Sequence, residues 1–177
     1  GTPSFDKVLN NKAAFSEMYG DDAVDKSLSQ GIESKVKTSG VQADKAGLKT
    51  AIKAAKKMDY NDFKRRKSLY KTLYYGAGSN WESYAKSVDK YLKKFAADDA
   101  DAHNEVAWNF YSLVDDVKWL ERGEDYARKA ISINPNGKYY RTLSFLLMKQ
   151  EKYAEAADYA EQAIAAFGKE SSEAKKL

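Results

Sequence analysis

The sequence predicts an all-α fold, a right-handed α-α superhelix of antiparallel helix pairs with about nine helices. Three observations carry that expectation. First, Trp81, Tyr84, Ala85, Val88, Tyr91, Leu92 and Phe95 recur 72 positions later as Tyr153, Ala156, Ala157, Ala160, Ala163, Ile164 and Phe167. Leu120, Gly123, Ala127, Ala130 and Ile131 form a third set, 33 residues before the last. Each set steps by three and four, which places it on one helix face. Second, the only prolines are Pro3 and Pro135, so nothing between them breaks a helix for want of an N–H. Third, no segment alternates apolar and polar residues over a strand's length.

Taken in order, Thr2 can cap a first helix with Pro3 in its first turn. Phe5, Val8, Leu9, Phe15 and Met18 form its apolar side, and Gly20 ends it. A second helix starts at Asp21 or Asp22, carries Val24, Leu28, Ile32 and Val36, and breaks at Thr38-Ser39-Gly40. A third runs from about Gln42 to Met58. These make an N-terminal segment, 1–58, that packs on the repeats. Region 59–168 then reads as three hairpins, 61–97, 101–135 and 138–168, followed by a polar tail, 169–177, that frays. Ser79 or Asn80 can cap the helix that begins at Trp81, Asp98–Asp101 is a capped turn, a short break near Asp115-Asp116 leads to a helix that ends at Asn134–Gly137, and Gly168 with Lys169 supplies the last stop.

Composition narrows the chemistry. With 177 residues, 43% of them apolar, the chain can bury a substantial core. Cysteine is absent, which removes disulfides, thiolate nucleophiles and cysteine metal sites. His103 is the only histidine, and one His without Cys makes no zinc site; it reads as an exposed residue in a helix's first turn. Asp21-Asp22, Asp98-Asp99 and Asp115-Asp116 could do acid–base work around a cleft, but all three sit at helix ends, and capping explains the first two. Gly76-Ala77-Gly78 lacks the strand and the Lys-Ser/Thr ending of a phosphate loop. No catalytic residue, metal site or cofactor is expected, and the chain reads as a non-enzyme. There is no run of about 18 apolar residues, so no membrane span or membrane partner is expected.

Net charge is +4, unevenly spread. Residues 33–71 hold twelve Lys and Arg against Glu33, Asp44, Asp59 and Asp62. Such a half attracts acidic surfaces, although Lys45, Lys49, Lys53 and Lys57 also read as a solvated face opposite Leu48, Ile52 and Ala55. Lys64-Arg65-Arg66-Lys67 followed by Tyr70, Tyr74 and Tyr75 has the residue types that bind single-stranded nucleic acid. The small total charge argues against that, and no nucleic-acid partner is expected.

The last two hairpins resemble tetratricopeptide repeats. Tyr140, Leu143, Ser144 and Leu147 fit the family's first-helix positions, and Tyr153, Ala156, Ala160 and Ala163 fit its second-helix positions. Pro135 stands at the family's proline; Gly168 replaces it in the final unit, and Gly123 replaces the usual alanine in the preceding one. The hairpin at 61–97 matches less well, with bulky Trp81 and Tyr84 and a 39-residue gap. In that family the first helix of each pair faces the concave side. The resemblance therefore implies a binding groove bearing Trp108, Ser112, Arg141, Phe145 and Lys149, suited to an acidic or aromatic peptide. A second resemblance is carried by FDKVLNNKAAFSEMYG (Phe5–Gly20) and by the unit from NEVAWNFYSLVDD (Asn104–Asp116) to Asn136. These are similar to the helical region that follows the thioredoxin domain in Bacteroidetes thiol–disulfide oxidoreductase-like proteins, which are usually exported. It implies an accessory C-terminal part of a larger protein, a periplasmic or exported location, and an upstream thioredoxin-like domain as partner. No redox activity carries over, because Cys-x-x-Cys is missing. The Gly1-Thr2-Pro3 start reads as a cleaved-tag scar or a processed end.

Overall fold

The computed structural model describes residues 4–58, 60–168 and 172. They are all-helical, with ten helices and no strand among them. The chain divides into two compact units, Gly1–Tyr91 and Leu92–Leu177. The boundary falls inside the helix Trp81–Phe95. Thr2, Pro3, Lys169 and the expected frayed tail apart from Ser172 lie outside the described residues.

The first unit opens with α1 (Phe5–Asn10), α2 (Lys12–Tyr19) and α3 (Asp21–Val41). Ser4 caps α1, its hydroxyl accepting from the Lys7 N–H. The single first helix expected from sequence is two, because the Asn11 side-chain amide donates to the Lys7 carbonyl at 2.9 Å and takes over an end-of-helix acceptor. Gly20 ends α2 at φ +83°, as its lack of a Cβ allows. Met18, expected on the apolar side, is exposed beside Tyr19.

The expected break at Thr38-Ser39-Gly40 is absent, and α3 runs through to Val41. Packing outweighs the roughly 1 kcal/mol that glycine costs a helix. A Cβ on Gly40 would stand 2.2 Å from the Tyr74 carbonyl oxygen, and one on Gly78 would stand 2.5 Å from the Gly40 carbonyl oxygen. Glycine here is a contact surface, not a terminator. The helix α4 (Lys45–Lys57) begins with Asp44 as its cap, and α5 (Phe63–Ala77) and α6 (Trp81–Phe95) follow. The core joins the Val24–Leu28–Ile32–Val36 stripe of α3 to Ala51, Ala54 and Ala55 of α4, Met58, and Tyr70 and Tyr74 of α5. Tyr70 and Tyr74, expected in the first hairpin, thus belong to the core of the N-terminal helices.

The second unit holds α7 (Ala100–Leu113), α8 (Val117–Ile133), α9 (Gly137–Lys149) and α10 (Tyr153–Phe167). Asp99, Asp116 and Asn136 cap α7, α8 and α9, each accepting a first-turn N–H. Packing joins α7 to α8 and α9 to α10, with α8 and α7 both against α9. Small residues set the spacing. A Cβ on Gly123 would meet the Phe110 Cβ at 2.8 Å and the Leu146 Cδ2 at 2.9 Å. Ala107, Ala127, Ala130, Ala156 and Ala163 are buried, and the Ser144 hydroxyl donates to the Ala156 carbonyl at 2.8 Å.

Polar ties join the two hairpins. Glu124 of α8 accepts from Lys152 at 2.9 Å, from Gln150 at 3.1 Å and from Arg128 at 2.8 Å, and Arg128 reaches Glu155 and Tyr159 of α10. These hydrogen bonds hold the Glu124 carboxyl below the usual range despite its burial. Tyr153 and Ala157, expected on the apolar face of α10, are exposed, since no helix follows α10 among the described residues.

His103 is not exposed as expected; it is buried, with Nε2 at 3.1 Å from the Ala97 carbonyl and its ring 6.3 Å from that of Tyr126. Burial pushes its pKa below the ordinary 6.5.

Candidate functional site

The contacts between α7 and α9 share one pattern. Lys138 donates to Asp101 across 37 positions, and Lys149 donates to the carbonyls of Tyr111 and Val114 across 38 and 35. A near-constant offset means that the two helices run parallel, side by side, each the first member of its hairpin. One stripe of each is thereby brought together: Asp101, Glu105, Trp108 and Ser112 from α7, with Asp115 just past its end, and Lys138, Arg141, Phe145 and Lys149 from α9, all at three- and four-residue steps.

An aromatic cluster fills the middle. The Trp108 ring lies 5.0 Å from Tyr111 and 6.3 Å from Phe145, and Tyr111 lies 5.4 Å from Phe145. Trp108 keeps 38% of its surface and Met148 49%, an apolar face that the core does not use. Tyr111, Ser112, Phe145, Met148 and Lys149 line an open groove of about 600 Å³ there. Two other depressions carry charged or hydroxyl side chains in their lining. One, of about 480 Å³, includes Lys118, Arg122, Glu124 and Lys152; the other, of about 460 Å³ between α3 and α4, includes Ser34, Thr38, Ser39 and Thr50.

Of the five residues expected to bind, Ser112, Phe145 and Lys149 line the groove, and Trp108 packs against its Phe145 and Tyr111 rings. Arg141 stands one turn before Phe145, with its guanidinium 5.6 Å from the centre of the Phe167 ring of α10. Lys149 is committed within the protein. Its ammonium sits at 2.7 Å from Asp115 and also donates to the Tyr111 and Val114 carbonyls at the end of α7, where the helix dipole is negative. The groove therefore offers aromatic and thioether surface more than free positive charge.

Tyr111 and Met148 were not among the expected residues. Each follows a chosen aromatic by three, Tyr111 after Trp108 and Met148 after Phe145, so the signal was the same helical step continued by one contact.

The acidic pairs act as helix starts. Asp21 and Asp22 lie in the first turn of α3, Asp99 caps α7 and Asp116 caps α8. Among the described residues no group of three or more His, Cys, Asp or Glu could hold a metal ion, and no helix is long and apolar enough to cross a membrane. No protein-family model, curated protein or solved structure matches this chain.

Proposed function

We propose that this chain is a non-catalytic helical-repeat module that holds an apolar or aromatic segment of a protein in the groove between α7 and α9. The observation that carries this reading is the cluster of Trp108, Tyr111, Phe145 and Met148, left partly open on two parallel first helices. Aromatic and Met side chains supply binding area at low entropic cost and adapt to their ligand. The parallel offset of α7 and α9 supports a tetratricopeptide-like superhelix as the finer architecture. Because Asp115 already occupies Lys149, an aromatic or aliphatic anchor suits the groove better than an acidic one.

The segment can belong to a separate protein or to a neighbouring domain of the same polypeptide. The resemblance to helical regions that follow thioredoxin domains favours the neighbouring domain, and the upstream reading frame distinguishes the two.

Peptide display on the immobilised protein tests the reading. Met148 and Ser112 are exposed, so Met148→Glu and Ser112→Arg should leave the fold intact, within about 0.5 kcal/mol. Selected peptides rich in Trp, Phe or Leu, bound at least tenfold more weakly by both variants, are the expected result. Peptides bound equally by parent and variants would place the site elsewhere.

A further inference from the structure

The helix α4 carries Lys45, Lys49, Lys53, Lys56 and Lys57 and no acidic residue, and all five lysines are exposed. Four of them repeat every fourth residue, so like charges neighbour one another along about 18 Å of helix. Such neighbours repel. Elsewhere the protein tempers this, as where Lys86 lies 2.6 Å from Glu82 and Arg66 lies 2.7 Å from Asp62, each four residues apart. On α4, among the described residues, the Lys57 ammonium meets a neutral partner, the Asn10 side-chain oxygen at 3.5 Å. Asp44, which caps the helix, is taken up by the Ala46 N–H. Val41, 72% exposed, stands four residues before Lys45 at the end of α3.

We propose that this face of α4 docks on an anionic lipid surface. The chemistry favours lipid over other polyanions. Between the lysines the helix presents only Ala46 and Thr50 outward, with no arginine fork for a fixed phosphate and no aromatic ring for a base to stack on. A row of flexible point charges matches a diffuse, planar negative charge. The apolar face of α4 is spent in the core through Ala51, Ala54 and Ala55, so the helix lies on the headgroups without inserting. Contact of this kind is weak, reversible and weakened by salt.

Co-sedimentation with vesicles of phosphatidylcholine, with and without phosphatidylglycerol, tests this. The protein should bind only the phosphatidylglycerol vesicles at low salt and leave them as salt rises. Lys45→Gln, Lys49→Gln and Lys53→Gln together should weaken binding at least tenfold while the circular dichroism stays unchanged. The control is Lys90→Gln, Lys93→Gln and Lys94→Gln, which removes the same charge from exposed positions of α6 and should bind like the parent. Three results would overturn the proposal: no binding to either vesicle, equal loss in both triple variants, or binding to duplex or single-stranded DNA without binding to vesicles.

Discussion

Single side chains decide how closely the helices approach. Gly123 shows it best, because a methyl group there would meet Phe110 and Leu146 inside 3.0 Å. Gly123→Ala gains helix propensity of about 1 kcal/mol, but overpacking costs about 1–3 kcal/mol. A net loss of stability is expected, read as a lower denaturant midpoint. His103 makes a second prediction. With its pKa below 6.5 in the fold, the unfolded chain binds more protons between that pKa and 6.5, so stability falls as pH drops through this window. Lys129, Asp98 and Asp99 also act on the ring, the lysine against protonation and the aspartates for it. Asp101 and Glu124 are held below the usual carboxylate range and act only at lower pH. Denaturation midpoints at about pH 7.5 and about pH 5.5 should therefore differ less in His103→Gln than in the parent. Of these two residues, only Gly123 was legible. Its place in the repeat pattern marked it as a small-residue site, whereas the burial of His103 depends on Ala97 and Tyr126, which sequence spacing does not bring to it.

Helix starts were legible because caps are local. Asn80 and Asp99 each accept an N–H three residues ahead, whereas Asp116 and Asn136, which read only as a break and as a helix end, cap the following helices as well. Helix ends depending on distant packing were not. Gly40 reads as a stop until the Tyr74 backbone is seen against it, and α5 reads as half of a hairpin until Tyr70 and Tyr74 are seen in the core with α3. The final hairpin gives the prediction at this scale. Ala156 is buried where its carbonyl accepts from Ser144, so the α9–α10 contact admits only a small side chain. Ala156→Trp should disrupt that hairpin, read as loss of amide-exchange protection in α9 and α10. Protection like the parent's would mean that the small-residue register is wrong.

At the scale of the whole molecule, the chain spends its special residues unevenly. The first unit concentrates lysine on one helix face, and the second concentrates aromatic rings in one groove. The general site of that groove was legible because Trp108 and Ser112 stand on first-helix positions at the same offset from Phe145 and Lys149. Its chemistry was not, since the engagement of Lys149 by Asp115 and the end of α7 exists only once the helices are side by side. The central claim is that this groove receives an apolar or aromatic segment. The most direct test is the ¹⁵N–¹H spectrum of the three tryptophan indoles, assigned with Trp108→Phe, during titration with a display-selected peptide. The account predicts that the Trp108 resonance moves with saturation while Trp81 and Trp119 stay in place. A binding peptide that leaves Trp108 unmoved, or that shifts Trp81 or Trp119 instead, would contradict it.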